Sequence, residues 1–466
     1  MATRADALAA AAHEFDSGAF QHTLARRVAH RTESQNPERA AALRAYLSDE
    51  IAPSLAALGV RSEVFDNPLP GRQPLLIGRC TEDPALPTVL VYGHGDVVRG
   101  LEGRWRDGLD PWTLTVRDGR WYGRGSADNK GQHSINIAAL AAVRAARCGR
   151  LGFNTVWLLE MGEETGSPGL AEFCRAHRDA LRADVLIASD GPRLRADRPT
   201  VYLGTRGVAN FDLTLRLREG GHHSGNWGGL LRNPGTVLSH AIASLVDARG
   251  AIAVAALRPP PIPPAVKRAL ADIEVGGGPG DPVIDADWGE PGLTPAERVF
   301  GWNTLEVLAI GVGNAAQPVN AIPHEARATL QLRFVVGTDA AHLRQHVEAH
   351  LQQHGFGGIE VGEPVVMAAT RLDPDSDWVR LALRSIEQTT GAGPALLPNL
   401  GGSLPNDVFA DILGLPTVWV PHSYPACSQH APDEHVLAPL MREGLLMMTG
   451  LFYDLGEQAA TLPRRR

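Results

Sequence analysis

Seven side chains suited to metal or proton chemistry stand near the ends of apolar runs or, for Asp128, at a loop-to-helix junction. His94 and Asp96 close VLVYGHGD, Glu163 and Glu164 follow VWLLEMG, and Asp190 ends VLIASD. Asp128 lies in YGRGSADNKG, and His430 lies in SQHAPDEH, shortly after TVWVPH. Taken singly these are weak signals, since a carboxylate after a strand usually caps a helix or closes a turn. Taken together they are two imidazoles and several carboxylates with no obligatory thiolate. That donor set suits zinc, with cobalt or manganese as alternatives. Of two adjacent carboxylates such as Glu163 and Glu164, one can hold a metal while the other moves protons, and spacing alone leaves the two interchangeable. No G-x-S-x-G stands at a strand-to-helix turn, which argues against a serine hydrolase.

The elements that must position these groups follow from hydrophobic patterning. TVLVYGH (88–94), NTVWLLE (154–160), DVLIASD (184–190) and PTVWVPH (416–422) are near-continuous apolar runs of strand length, as expected of a sheet buried on both faces. KGQHSINIAALAAVRAAR (130–147) has helical spacing. Alternating strands and helices predict an α/β layer fold, in which ligands bind beyond the carboxyl ends of the strands. All seven groups then fall on one rim.

The middle of the chain has a different pattern. GVANFDLTLRLRE (207–219) alternates as a half-buried strand does. A helix near 234–248, strands near 304–312 and 325–335, a helix near 339–354 and a strand near 359–368 complete β-α-β-β-α-β, the ferredoxin-like order. The stretch 258–303, with RPPPIPP and GGGPG, is expected to be a long loop interrupting it. The domains expected are therefore 1–206 with 372–466, and an inserted 207–371.

The 466 residues suffice for two or three domains, and 44% are apolar. A net charge of -8 argues against nucleic acid as a partner, and no apolar run approaches the length of a membrane span. Four scattered cysteines with no CxxC predict reduced thiols and a cytoplasmic protein.

GHGDVV, GRGSADNKG, EETGSPG, SDG and SQHAPDEH occur here in the order found in the di-zinc exopeptidase family of carnosinase-type dipeptidases, aminoacylase, acetylornithine deacetylase and glutamate carboxypeptidase. The likeness spans nearly the whole chain. GGHHSGNWGG, WNTLEVLAI, PVNAIP and NLGGSLPND look most like the carnosinase-type dipeptidase branch.

The resemblance implies a mixed-sheet zinc-peptidase catalytic domain carrying an inserted ferredoxin-like lid and dimerisation domain. It implies two divalent metals, one held by His94 and Glu164 and the other by Asp190 and His430, with Asp128 bridging. Asp96 would orient His94, and Glu163 would be the general base. The peptide bond after Asp128 would be cis. A lid histidine, His223 in preference to His222, would stabilise an oxyanion in the partner's site of a homodimer. Arg333, Asn320 and Ser403 would contact substrate, and Arg206 would brace the junction with the inserted domain. The implied reaction is hydrolysis of the amide bond of a dipeptide, with N-acyl amino acid deacylation as the alternative. A non-catalytic binder would be expected to lack the base, yet Glu163 is present.

Overall fold

In a computed structural model of the chain, residues 3–278, 281–402 and 404–465 are described. They form two compact units. The first comprises Met1–Leu203, Leu372–Leu397 and Pro405–Arg466, and the second comprises Gly204–Arg371 with Pro398–Leu404. The second unit thus takes a short piece, Pro398–Leu404, that the sequence reading leaves with the first.

The first unit is built on an eight-stranded mixed sheet. Its strands run in the order Arg61–Phe65, Leu75–Cys80, Asn154–Glu160, Thr88–His94, Val185–Ala188, Thr417–Trp419, Thr200–Tyr202, Ala395–Leu397. The four from Asn154–Glu160 to Thr417–Trp419 are parallel, so their carboxyl ends share one rim. Asn154–Glu160 is buried at every position, as a strand covered on both faces must be. Helices Arg4–Asp16, Lys130–Ala146, Asp377–Thr390 and Ala438–Gln458 contribute to one hydrophobic core with the sheet. Lys130–Ala146 is rich in alanine and free of proline, which favours helix, and twelve of its seventeen residues are buried. Burial of Ile135, Leu140 and Val143 alone contributes about 1.5–3 kcal/mol each.

The strand expected over 184–190 is shorter, Val185–Ala188. Ser189 and Asp190 leave the ladder, which frees the Asp190 side chain from the sheet's alternation. The strand expected over 416–422 likewise ends at Trp419.

The second unit follows the expected order. Its sheet runs Thr304–Val312, Glu325–Phe334, Gly207–Arg216, then Glu360–Val361, with Val365–Met367 also on Gly207–Arg216. All pairings are antiparallel. Helices Pro234–Leu245 and Leu343–Gln353 pack on this sheet through Leu238, Leu245, Val347 and Leu351. The last strand is split, because Gly362–Pro364 interrupts it. The stretch 258–303 is not wholly loop. It contains helices Pro264–Leu270 and Pro295–Phe300, the latter started by a capping box between Thr294 and Glu297.

Candidate metal centre

His94 is the last residue of its strand and has no solvent exposure. Its Nδ1 donates to the Asp96 main-chain oxygen at 3.1 Å and lies 3.3 Å from Asp96 Oδ1. The ring is thereby fixed with Nε2 facing Asp128 Oδ1 at 3.0 Å and Asp190 Oδ2 at 3.6 Å. Asp96 also accepts the backbone N–H of Glu163 at 3.2 Å and of Glu164 at 3.1 Å. One carboxylate thus aims the histidine and anchors the turn that carries both glutamates.

That turn is the short helical segment Glu163–Thr165 after the Asn154–Glu160 strand. Glu163 Oε2 stands 4.0 Å from His94 Nε2. Glu164 points the other way, its Oε2 at 3.0 Å from His430 Nε2, which also lies 2.9 Å from Asp128 Oδ2. Gln429 donates to the same Asp128 oxygen. Two donor groups result, His94 with Asp128 and Asp190, and Asp128 with Glu164 and His430. The expected pairing of His94 with Glu164 and of Asp190 with His430 is therefore corrected. His94 ends one strand and Asp190 follows the end of the neighbouring parallel strand by two residues, whereas Glu164 turns toward the loop of His430. Asp128 is shared as expected, and the Asp128–Asn129 peptide bond is cis.

The electrostatics call for added positive charge. Burial, reinforced by Asp190, Asp128 and Glu164, holds the Glu163 carboxyl well above the usual carboxylate range despite His94. Burial and Asp128 push Glu164 up to about 7, and burial pushes Asp190 up to about 6. Burial opposes the His94 imidazolium, but Asp128 and Asp96 outweigh it and hold its pKa well above the ordinary value. Hydrogen bonds to Asp128 and Glu164 push His430 up to about 10. Asp190 Oδ2 is buried without a hydrogen-bond partner. An acceptor left bare beside an imidazole and a second carboxylate is costly unless a cation completes it, so the residues fit two divalent metals.

Other residues named from the sequence lie in the second unit. His223 is exposed, in the strand His222–His223 that pairs with Ala321–Ile322, and its Nδ1 accepts from the Gly225 N–H at 3.1 Å. The Asn320 main-chain oxygen accepts from the Ser224 N–H at 2.9 Å, so His223 and Asn320 belong to one local structure. Arg333 lies on the face opposite Leu330, Leu332 and Phe334, with Nε donating to Gln331 at 2.9 Å. Arg206 donates to Trp302 O, Thr304 Oγ1 and Arg333 O, tying strands within this unit. Ser403 lies outside the described residues. Cys427, in the first unit, is buried, and burial pushes its thiol up to about 11.

Sequence reasoning assigns no role to Glu434, which the structure buries against the Asp128 loop. It stands inside SQHAPDEH, but an acid four residues beyond a histidine carries no spacing signal. Gln429, an amide directly before His430, carries no such signal either.

A family model for peptidase family M20/M25/M40 matches residues 90–454. The chain is 26% identical over 409 residues to the beta-Ala-His dipeptidase of Mus musculus, spanning 83% of this chain and 80% of that protein. It is 29% identical over 333 residues to the cysteinylglycine-S-conjugate dipeptidase of Corynebacterium striatum, spanning 68% and 70%. Its fold is similar to that of human carnosine dipeptidase 1, with a TM-score of 0.72, 23% identity, and 97% of this chain and 99% of that one covered. Among the described residues no helix is long and apolar enough to cross a membrane. With the donor set at the sheet rim and the match over most of its length, the chain belongs to peptidase family M20/M25/M40, a family of metal-dependent hydrolases.

Proposed function

We propose that this chain hydrolyses the amide bond of dipeptides at a two-metal centre, with Glu163 as general base. The observation that carries the reading is Asp128, whose two oxygens face two separate donor groups, with Glu163 beside the first. His94 and Asp190 would hold one divalent cation and Glu164 and His430 the other, with Asp128 available to both. Zinc fits the N/O donors best, with cobalt or manganese as substitutes. Bound there, such a pair would supply an acidified water and polarise the scissile carbonyl.

The protein groups do the rest. Glu163 Oε2 accepts a proton from the attacking water and returns it to the leaving amine, a transfer suited to a carboxylate whose pKa is raised. Asp96 keeps the His94 ring in one tautomer and fixes the backbone of Glu163, so that base and ligand move as one piece. His223 donates to the developing oxyanion, acting on the site of the partner in a homodimer. Arg333, with a planar fork suited to a carboxylate, binds the substrate's carboxyl end, and Asn320 and Ser403 are further substrate contacts. The dimer reading is supported by strand Thr304–Val312. It lies at the edge of its sheet and exposes Val307, Leu308, Ile310 and Val312. Four unpaired cysteines suit a cytoplasmic location.

The dipeptidase relatives favour a free-amine substrate over an N-acyl one. The test is a hydrolysis screen of zinc-reconstituted protein against dipeptides and their N-acetyl counterparts. Free-amine dipeptides are expected to turn over with the higher kcat/KM. A preference for the N-acetyl compounds would replace this reading by the deacylase one.

A further inference from the structure

We infer that Glu434 is a positioning residue that makes the second donor group, Asp128 with Glu164 and His430, competent to hold its ion. This rests on the two-metal reading above. Glu434 is 1% exposed, and its carboxylate lies against the loop that delivers Asp128. Oε1 accepts the backbone N–H of Gly125 at 3.1 Å, of Ala127 at 2.9 Å and of Asp128 itself at 3.1 Å. Oε2 accepts from Arg124 Nη1 at 2.7 Å, and Arg124 Nη2 donates back to the Ala431 main-chain oxygen at 3.0 Å. The loop of Asp128 and the loop of His430 are therefore laced together by a pair of buried charges, Arg124 on the first and Glu434, four residues beyond His430, on the second.

The lacing joins the shared Asp128 loop to the loop of His430, which belongs to the second donor group alone. Toward Asp190 the Asp128 loop has separate ties, with Asn129 Nδ2 donating to Ser189 O at 2.8 Å and Gln132 Nε2 to Gly191 O at 3.2 Å. Toward His430 the ties are those of Glu434 and Arg124, together with the Gln429 amide on Asp128. The His430 loop also needs holding. Ser428, His430 and Asp433 all have left-handed backbone conformations, with φ of 57°, 60° and 65°, which non-glycine residues adopt at a cost. Glu434 anchors that loop from its end by accepting three N–H groups of the neighbouring Asp128 loop.

The test is a cobalt titration of protein stripped of metal, followed by the visible absorption of the bound ions, comparing wild type with Glu434→Gln. The glutamine keeps the size but turns an amide donor toward N–H groups that need an acceptor. Wild type is expected to take two ions per chain. The variant is expected to take one with wild-type affinity and the second at least tenfold more weakly, with the corresponding part of the cobalt spectrum lost and kcat reduced more than KM is changed. Arg124→Gln is expected to weaken the same ion and serves alone if Glu434→Gln does not fold. Two ions bound with wild-type affinity in a folded variant would overturn the role of Glu434, as would equal weakening of both. A wild type that binds no cobalt would instead overturn the two-metal reading beneath it.

Discussion

At the scale of single residues, adjacency in sequence becomes a division of labour because one carboxylate, Asp96, fixes the turn carrying Glu163 and Glu164. Glu164 faces His430, and Glu163 remains on the His94 side. Glu163→Gln is expected to retain both metals and the fold while lowering kcat by about 10²–10⁴, the range of general acid–base contributions. Measured turnover within tenfold of wild type, with full metal content, would sink the role. The same carboxyls predict a pH effect. Glu164 at about 7 and Asp190 at about 6 keep protons in the folded, metal-free site that the unfolded chain releases near pH 4. These groups make the metal-free fold less stable as pH rises through that window. The His430 imidazolium, pushed up to about 10, loses its contribution in the same direction. A divalent cation displaces those protons, so zinc is expected to raise Tm more at pH 8 than at pH 5.5. An increment equal at both pH values would contradict the assignment.

At the scale of elements, the strands that deliver the site are legible because a strand buried on both faces is an unbroken apolar run. Thr88–His94 and Asn154–Glu160 fall where TVLVYGH and NTVWLLE place them. The grouping of ligands is not legible, because it depends on strand order. Asp190 lies just past the end of a strand beside that of His94, although about a hundred residues separate them. The role of Glu434 is equally hidden, since its partners are backbone N–H groups that have no sequence signature. The helix Lys130–Ala146 meets the Asp128 loop through a glycine. A Cβ at Gly131 would stand 2.0 Å from the Ser126 main-chain oxygen, which only a shift of that loop could relieve. Gly131→Ala is expected to destabilise the protein by about 1–3 kcal/mol in denaturant unfolding and to weaken metal binding. Gly393→Ala, which meets nothing within 4 Å, is the control expected to change neither. Wild-type metal affinity in Gly131→Ala would show that the loop has room the structure does not show.

At the scale of the whole molecule, the second unit carries His223, Asn320 and Arg333 but contributes nothing to either donor group. If it serves as the lid of a homodimer, its edge strand is the natural contact, since a nine-residue edge with exposed Val307, Leu308, Ile310 and Val312 is an unfinished sheet. A twofold contact through one strand places the same surface on both copies, so each copy can lend its His223 to the other's site. That arrangement has a consequence no single-chain site shares. Glu163→Gln lacks the base but keeps His223, and His223→Ala keeps the base but lacks the lid donor. Each variant alone is expected to be nearly inactive. In a hybrid dimer, one of the two sites draws Glu163 from one copy and His223 from the other, both intact. Random exchange in an equal mixture makes half the dimers hybrid, so activity should recover to about a quarter of wild type. Exchange is followed independently by mass spectrometry of differently tagged copies. Full exchange without recovery would place His223 in the site of its own chain or outside the chemistry, whereas recovery near a quarter would require a donor supplied across the interface.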